Sequence, residues 1–208
     1  RTSWKAYRVE VEKVALAHGE TLTADKLDLR ADLEQVIDAA RSGRLDALGH
    51  DSKISVLDRF DQLAQQSSMM QTWINAKRGN LSEYLFNPQR GRKKTSFLSG
   101  SEVAWGTKGA TVPDYFIEQG TYREWVNQKS DLIDSGPKTA GVYASGRAAA
   151  RTYRLNANLE AGNLPAGAKY SLDFVRDPGP ETRKAMLSIL LDTGSPIHRV
   201  KFGGTWYP

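Results

Sequence analysis

Beyond residue 80 the apolar residues of this chain change period, and that change limits what it can fold into more than any other feature. SFLSGSEVAW, VPDYFIEQ, TYREWVNQK, KYSLDFVRD and HRVKF have the texture of strands, while residues 144–160 and PETRKAMLSILLD repeat at helical spacing. Gln119-Gly120 supplies a tight turn between the second and third strands. Pro180 stands at the first position of the last helix, and Gly194 lies just past its end. The order is helix (NLSEYLFNP, stopped by Pro88), three strands, helix, strand, helix, strand. It predicts an α/β fold with a mixed sheet and helices packed against it.

The residues before Gly79 read as helical. Thr23 is placed to cap TADKLDLRADLEQVIDAARSG, where Leu29, Leu33, Val36, Ile37 and Ala40 fall on one face and Gly43 ends the pattern. A second helix runs through SVLDRFDQLAQQSSMMQTWINAKRG, with Val56, Phe60, Leu63, Ala64, Met70 and Ile74 in register; Lys77-Arg78-Gly79 is its stop signal. Met69, Met70 and Trp73 read as core filling. An earlier helix is expected from Trp4 to about His18. Two regions follow: helical residues 1–78 and an α/β domain over 79–208.

Of 208 residues, 39% are hydrophobic, enough to bury a core. No apolar run reaches the length of a membrane span, and no signal peptide opens the chain. A first residue of arginine suggests a fragment of a longer protein. There is no cysteine, hence no disulfide framework or thiolate metal site, and His18, His50 and His198 are too scattered to suggest a histidine-rich zinc site. Charge is uneven: residues 1–80 hold 12 Lys+Arg against 12 Asp+Glu, residues 81–208 hold 17 against 12. The C-terminal excess points to a polyanionic partner, or else only keeps the domain soluble.

The hairpin over VPDYFIEQGTYREWVNQK carries the candidate chemistry. Asn127 and Lys129 share a face of their strand, and Asp114 begins the strand that pairs with it. An acid, an amide oxygen and a lysine at one hairpin end suit a hard cation beside a phosphodiester: Asp114 holds Mg²⁺ (or Mn²⁺ or Zn²⁺) and Lys129 offsets charge on the phosphate. Glu83 or Glu102 would complete the metal shell. Read blandly, Pro113-Asp114 is a strand-entry turn and Lys129 a strand-end charge. Trp105, Tyr115 and Trp125 read as packing residues.

GTKGATVPDY, VNQKSDLI, NLPAGAKYSLDF and HRVKF together resemble the PD-(D/E)xK nuclease fold as found at the C-termini of bacterial polymorphic and contact-dependent inhibition toxins. The resemblance spans about residues 79–202. It implies a restriction-endonuclease-like core, metal-dependent cleavage of DNA or tRNA in the cytoplasm of a target cell after delivery, and a cognate immunity protein. The metal-binding acid falls on Asp114 and the lysine on Lys129. The second motif acid does not: Asn127 stands in its place. Glu124 is the nearby acid, but its parity aims it at the opposite face unless a β-bulge intervenes. In an ungapped register Gln128 would take the lysine position. RGRKK (Arg90, Arg92, Lys93 and Lys94), Lys108, and the stripe Arg147, Arg151 and Arg154 are either phosphate contacts or solvated cations. A catalytically degenerate module that binds nucleic acid or protein is the alternative reading.

Overall fold

The computed structural model describes residues 29–66, 71–133, 142–143 and 145–208. The expected helix from Trp4 to His18, the Thr23 cap and the Met69-Met70 pair lie outside them. The chain forms two compact units, Arg1–Gly91 and Arg92–Pro208.

In the first unit, α1 (Leu29–Arg41), α2 (His50–Gln66) and α3 (Gln71–Phe86) pack together, with α3 against both of the others. Leu33, Val36, Ile37 and Ala40 are buried from α1, Val56 and Phe60 from α2, Ile74, Leu81 and Leu85 from α3. The helical periodicity of this region is therefore its core. Gly79 does not stop α3. The helix runs through it, because Leu81 and Leu85 beyond it continue the buried stripe that Ile74 begins, and tertiary burial outweighs the roughly 1 kcal/mol a mid-helix glycine costs. NLSEYLF is thus the end of α3 and not a separate helix, and the units divide between Gly91 and Arg92.

The second unit is a mixed α/β structure. The expected first strand is a hairpin of two, β1 (Ser96–Leu98) and β2 (Ser101–Val103), folded over Ser99 and Gly100, both at positive φ. β3 (Tyr115–Gln119) and β4 (Tyr122–Lys129) form the expected second hairpin, with Gly120 at φ 58° in the turn. The short pair β5 (Leu132–Ile133) and β6 (Val142–Tyr143) precedes α4 (Gly146–Gly162), β7 (Lys169–Phe174), α5 (Pro180–Leu190), β8 (Ile197–Phe202) and a final strand, β9 (Thr205–Tyr207). The sheet order is β3-β4-β7-β8-β9. β4, β7 and β8 run parallel, and the outer pairs are antiparallel.

Alternation along these strands gives the sheet two unlike faces. Trp125, Tyr170, Leu172, Phe174, Val200 and Phe202 form one core with Ala149, Ala150, Tyr153 and Ala157 of α4 and Met186 and Leu190 of α5. The intervening residues Glu124, Ser171, Asp173, Arg199 and Lys201 project from the other face. Ser145 caps α4, its hydroxyl accepting from the Ala148 N–H at 3.2 Å, and Pro180 opens α5 as expected.

Gly146 is where the two helices meet: a Cβ there would lie 2.4 Å from Cγ2 of Thr182 and 3.2 Å from Cγ of Met186. Gly146→Ala should destabilise the second unit by about 1–3 kcal/mol through overpacking, read as a lower urea midpoint. Gly146→Ala combined with Thr182→Ser should recover much of the loss.

Candidate functional site

β4 pairs with both β3 and β7 without a register break, so parity runs unbroken from Trp125 to Lys129. Asn127 consequently faces the helices. It is 6% exposed, and its amide donates to Oε2 of Glu160 in α4 and to the Tyr170 hydroxyl at 3.2 Å. Tyr170 also donates to Glu160, and burial, followed by the Glu160 charge, raises its hydroxyl above the usual tyrosine range. Lys129 lies on the same face, its Nζ 5.9 Å from the centre of the Tyr153 ring. Asn127 is thus a polar strut beneath α4, and Lys129 is directed at an aromatic ring of the helical layer.

Asp114 sits at the mouth of the β3–β4 hairpin. Its N–H donates to the Val126 carbonyl at 3.0 Å, and its Oδ2 accepts from the Gln128 N–H at 2.7 Å. Oδ1 accepts from Lys94 at 2.8 Å, with about a fifth of each side chain exposed. Asp114 thus both closes the strand entry and pairs with a lysine of the basic RGRKK loop.

The helix-free face gathers what the sequence reading left apart. Glu124 is fully buried there and accepts two hydrogen bonds from Arg199, at 2.8 and 2.6 Å, and a third from Gln119 at 3.2 Å. Arg199 stands opposite Ser171 of β7, and Glu124 of β4 opposite Lys169, so the guanidinium reaches a carboxylate two strands away. Tyr115 of β3 makes the converse reach: its hydroxyl donates to Asp173 Oδ2 of β7 at 2.6 Å, and Lys201 donates to the same oxygen at 3.1 Å. Burial above all, then the charges of Asp173, Glu124 and Asp114, lifts the Tyr115 hydroxyl far above its ordinary range, so it stays a donor. Asp173 thus accepts from both Tyr115 and Lys201 on this face. Ser171 Oγ and Gln128 Nε2 are buried on this face without a hydrogen-bond partner among the described residues.

The other expected residues are dispersed. Glu83 lies in α3 of the first unit, and Glu102 is exposed on β2. Arg90 belongs to the first unit, where its guanidinium binds Asp46 and holds that carboxyl below the usual range. Arg92 and Lys93 are exposed, Arg92 4.4 Å from the centre of the Phe116 ring. Lys108, Arg147 and Arg151 are exposed as well. Arg154 leaves their stripe to bond Asp192 and the Ile189 and Thr193 carbonyls at the end of α5. Trp125 packs edge-on to Phe97 at 4.9 Å, as a core residue should. Trp105 does not pack; it sits in the turn after β2 and is 71% exposed.

Among the described residues no three His, Cys, Asp or Glu side chains converge as a ready metal cage. The donors on the helix-free face are all oxygens, which fits a hard cation that keeps several waters, such as Mg²⁺ or Mn²⁺, better than zinc. Asp114 and Glu124 are the pair that would hold it. No family model matches this sequence, and no curated protein and no solved structure is significantly similar to it.

Tyr115, Asp173, Arg199 and Lys201 were not singled out as site residues from the sequence. Their signal is the period-two pair S-x-D in KYSLDF and R-x-K in HRVKF, two consecutive strands whose polar positions share a parity.

Arg199→Ala strands Glu124 as a buried unpaired charge and should cost about 3–5 kcal/mol, measured by urea unfolding. Replacing both residues with apolar ones, Glu124→Leu with Arg199→Met, should restore most of that stability.

Proposed function

We propose that the second unit is a nuclease-like toxin domain of the PD-(D/E)xK type, with a restriction-endonuclease-like core, that hydrolyses phosphodiester bonds of DNA or RNA with a hard divalent cation. The observation that carries this reading is the polar sheet face away from α4 and α5, where Glu124 and Asp173 are bonded to Arg199, Tyr115 and Lys201, with Asp114 and Lys94 joined at the mouth of the same hairpin. The reading moves the centre away from Asn127 and Lys129. Glu124 becomes the strand's acid, and two residues on, where a lysine would stand, the strand carries Val126. Lys201, from β8, supplies an ammonium to the same face. In this reading Asp114 and Glu124 would hold the metal, which would supply a Lewis acid for the phosphate and a water of lowered pKa. Lys94, Lys201 and Arg199 balance charge on the phosphate oxygens, and the basic excess of the C-terminal residues draws the polyanion in. Delivery into a target cell and an immunity partner belong to the same proposal. Among the described residues no helix is long and apolar enough to cross a membrane.

One observation favours a second reading, a degenerate module that binds nucleic acid without metal. Each of the three acids already has a cationic partner: Lys94 on Asp114, Arg199 on Glu124, Lys201 on Asp173. A metal must displace or share those partners.

Incubation of the chain with plasmid DNA and with total tRNA, in Mg²⁺ and in EDTA, separates the two. The nuclease reading expects metal-dependent cleavage that falls at least about a hundredfold, some 2.7 kcal/mol of barrier, in Asp114→Ala. It expects Lys129→Ala to cleave like the parent, since that lysine faces the helices. Binding of either polymer unchanged in EDTA, with no cleavage, establishes the module.

A further inference from the structure

The last strand adds an aromatic ring to the polar face. Trp206 of β9 pairs directly with Lys201 of β8, so it projects from the same side as Lys201 and Arg199. The contacts agree with the register: the Arg199 guanidinium lies 4.2 Å from the centre of the indole, and Lys201 Nζ 5.6 Å from it. Trp206 is half-buried on the edge strand of the sheet, and among the described residues no third cation or ring partner meets its indole. Trp125 packs in the core against Phe97, whereas Trp206 stands outside that core and among cations.

Those cations retain donors. Glu124 takes two N–H groups of Arg199, at Nε and Nη2, of the five a guanidinium carries, and Asp173 takes one of the three on Lys201. Lys169 stands opposite Glu124 and so shares this face, its Nζ 5.7 Å from the centre of the Tyr122 ring. Three cations, Arg199, Lys201 and Lys169, thus share the face with two acids, Glu124 and Asp173, and the surplus favours an anion. Spare donors beside a half-open indole suit one nucleotide unit, with its phosphate on the cations and its base against the ring. The indole requires a π-face. In a duplex each base is covered above and below by the stack and offers only its edges, whereas an unpaired base has a face free.

We propose, resting on the nucleic-acid reading above, that the polar face takes its polymer as a single strand, with an unpaired base stacked on Trp206 and the adjoining phosphate on Arg199 and Lys201.

Fluorescence anisotropy of the full chain tests it, with a short unstructured labelled oligonucleotide, alone and annealed to its complement, in EDTA and again in Ca²⁺. The single strand should bind at least about tenfold more tightly than the duplex. Trp206→Ala should weaken single-strand binding about tenfold or more, the size of one lost base stack, and leave duplex binding within about twofold. Trp206→Phe keeps a ring and should hold most of the parent affinity. The duplex controls for Arg199, because a guanidinium merely loosened by loss of the indole would weaken both forms alike. Equal or tighter binding of the duplex by the parent chain, a loss in Trp206→Ala that is absent or equal on both forms, or a loss as large in Trp206→Phe would overturn the proposal. Absence of binding to either form would overturn it too. Cleavage of plasmid DNA in Mg²⁺, lost in Asp114→Ala, is read separately, so a chain that cleaves but prefers duplex keeps the hydrolytic reading and discards this one.

Discussion

The structure of the second unit turns on one buried ion pair. Glu124 is fully buried, and a lone carboxylate in that position would cost several kcal/mol. Arg199 answers it with two parallel hydrogen bonds from a strand two places away, a span of roughly 10 Å between strand axes. The β7 residue in register with Arg199 is Ser171, a small side chain. The pair ties β4 to β8 across the strand between them. Tyr115 does the same from β3 to β7. The polar face is therefore crossed by long side chains that couple strands which share no backbone hydrogen bonds.

The other face holds the unit together by ordinary means. Both crossover helices pack on it, α4 presenting alanines that let it approach and α5 meeting it at Gly146. The division of labour follows from period-two alternation: the positions that build the core on one face leave their neighbours on the other. Within one strand, KYSLDF puts Tyr170, Leu172 and Phe174 into the core and Ser171 and Asp173 into the polar network. A chemistry-bearing face is in this sense a by-product of how the core is made.

The element order after residue 80 was legible because strands and helices differ in period and are separated by strong turn signals. The same reading failed at Gly79. A glycine preceded by cations looks like a helix end, and only the burial of Leu81 and Leu85 shows that α3 continues. The hairpin was legible down to the parity that sets Glu124 against Asn127, but not which of the two faces the helices. The reason is physical: spacing within a hairpin says which residues share a side, but which side receives the helices depends on β7 and β8. Asn127 lies under Glu160, a contact between residues 33 apart in sequence. Arg199 meets Glu124 across 75 residues. Neither partner is visible in a local motif.

In the proposed reading the charge balance of the polar face carries the chemistry. Each of the three acids has a cationic partner, and the proposal is that phosphate and a hard cation together exchange partners with them, the phosphate taking the lysines and arginine, the metal taking the carboxylates. This exchange is the core of the account. The most direct test is an anomalous difference map from a crystal of the chain soaked in Mn²⁺ with a short oligonucleotide. The account predicts a manganese peak coordinated by Asp114 and Glu124, with Arg199 withdrawn from Glu124. An ordered oligonucleotide on this face with no peak there, and the Glu124–Arg199 pair intact, would contradict it.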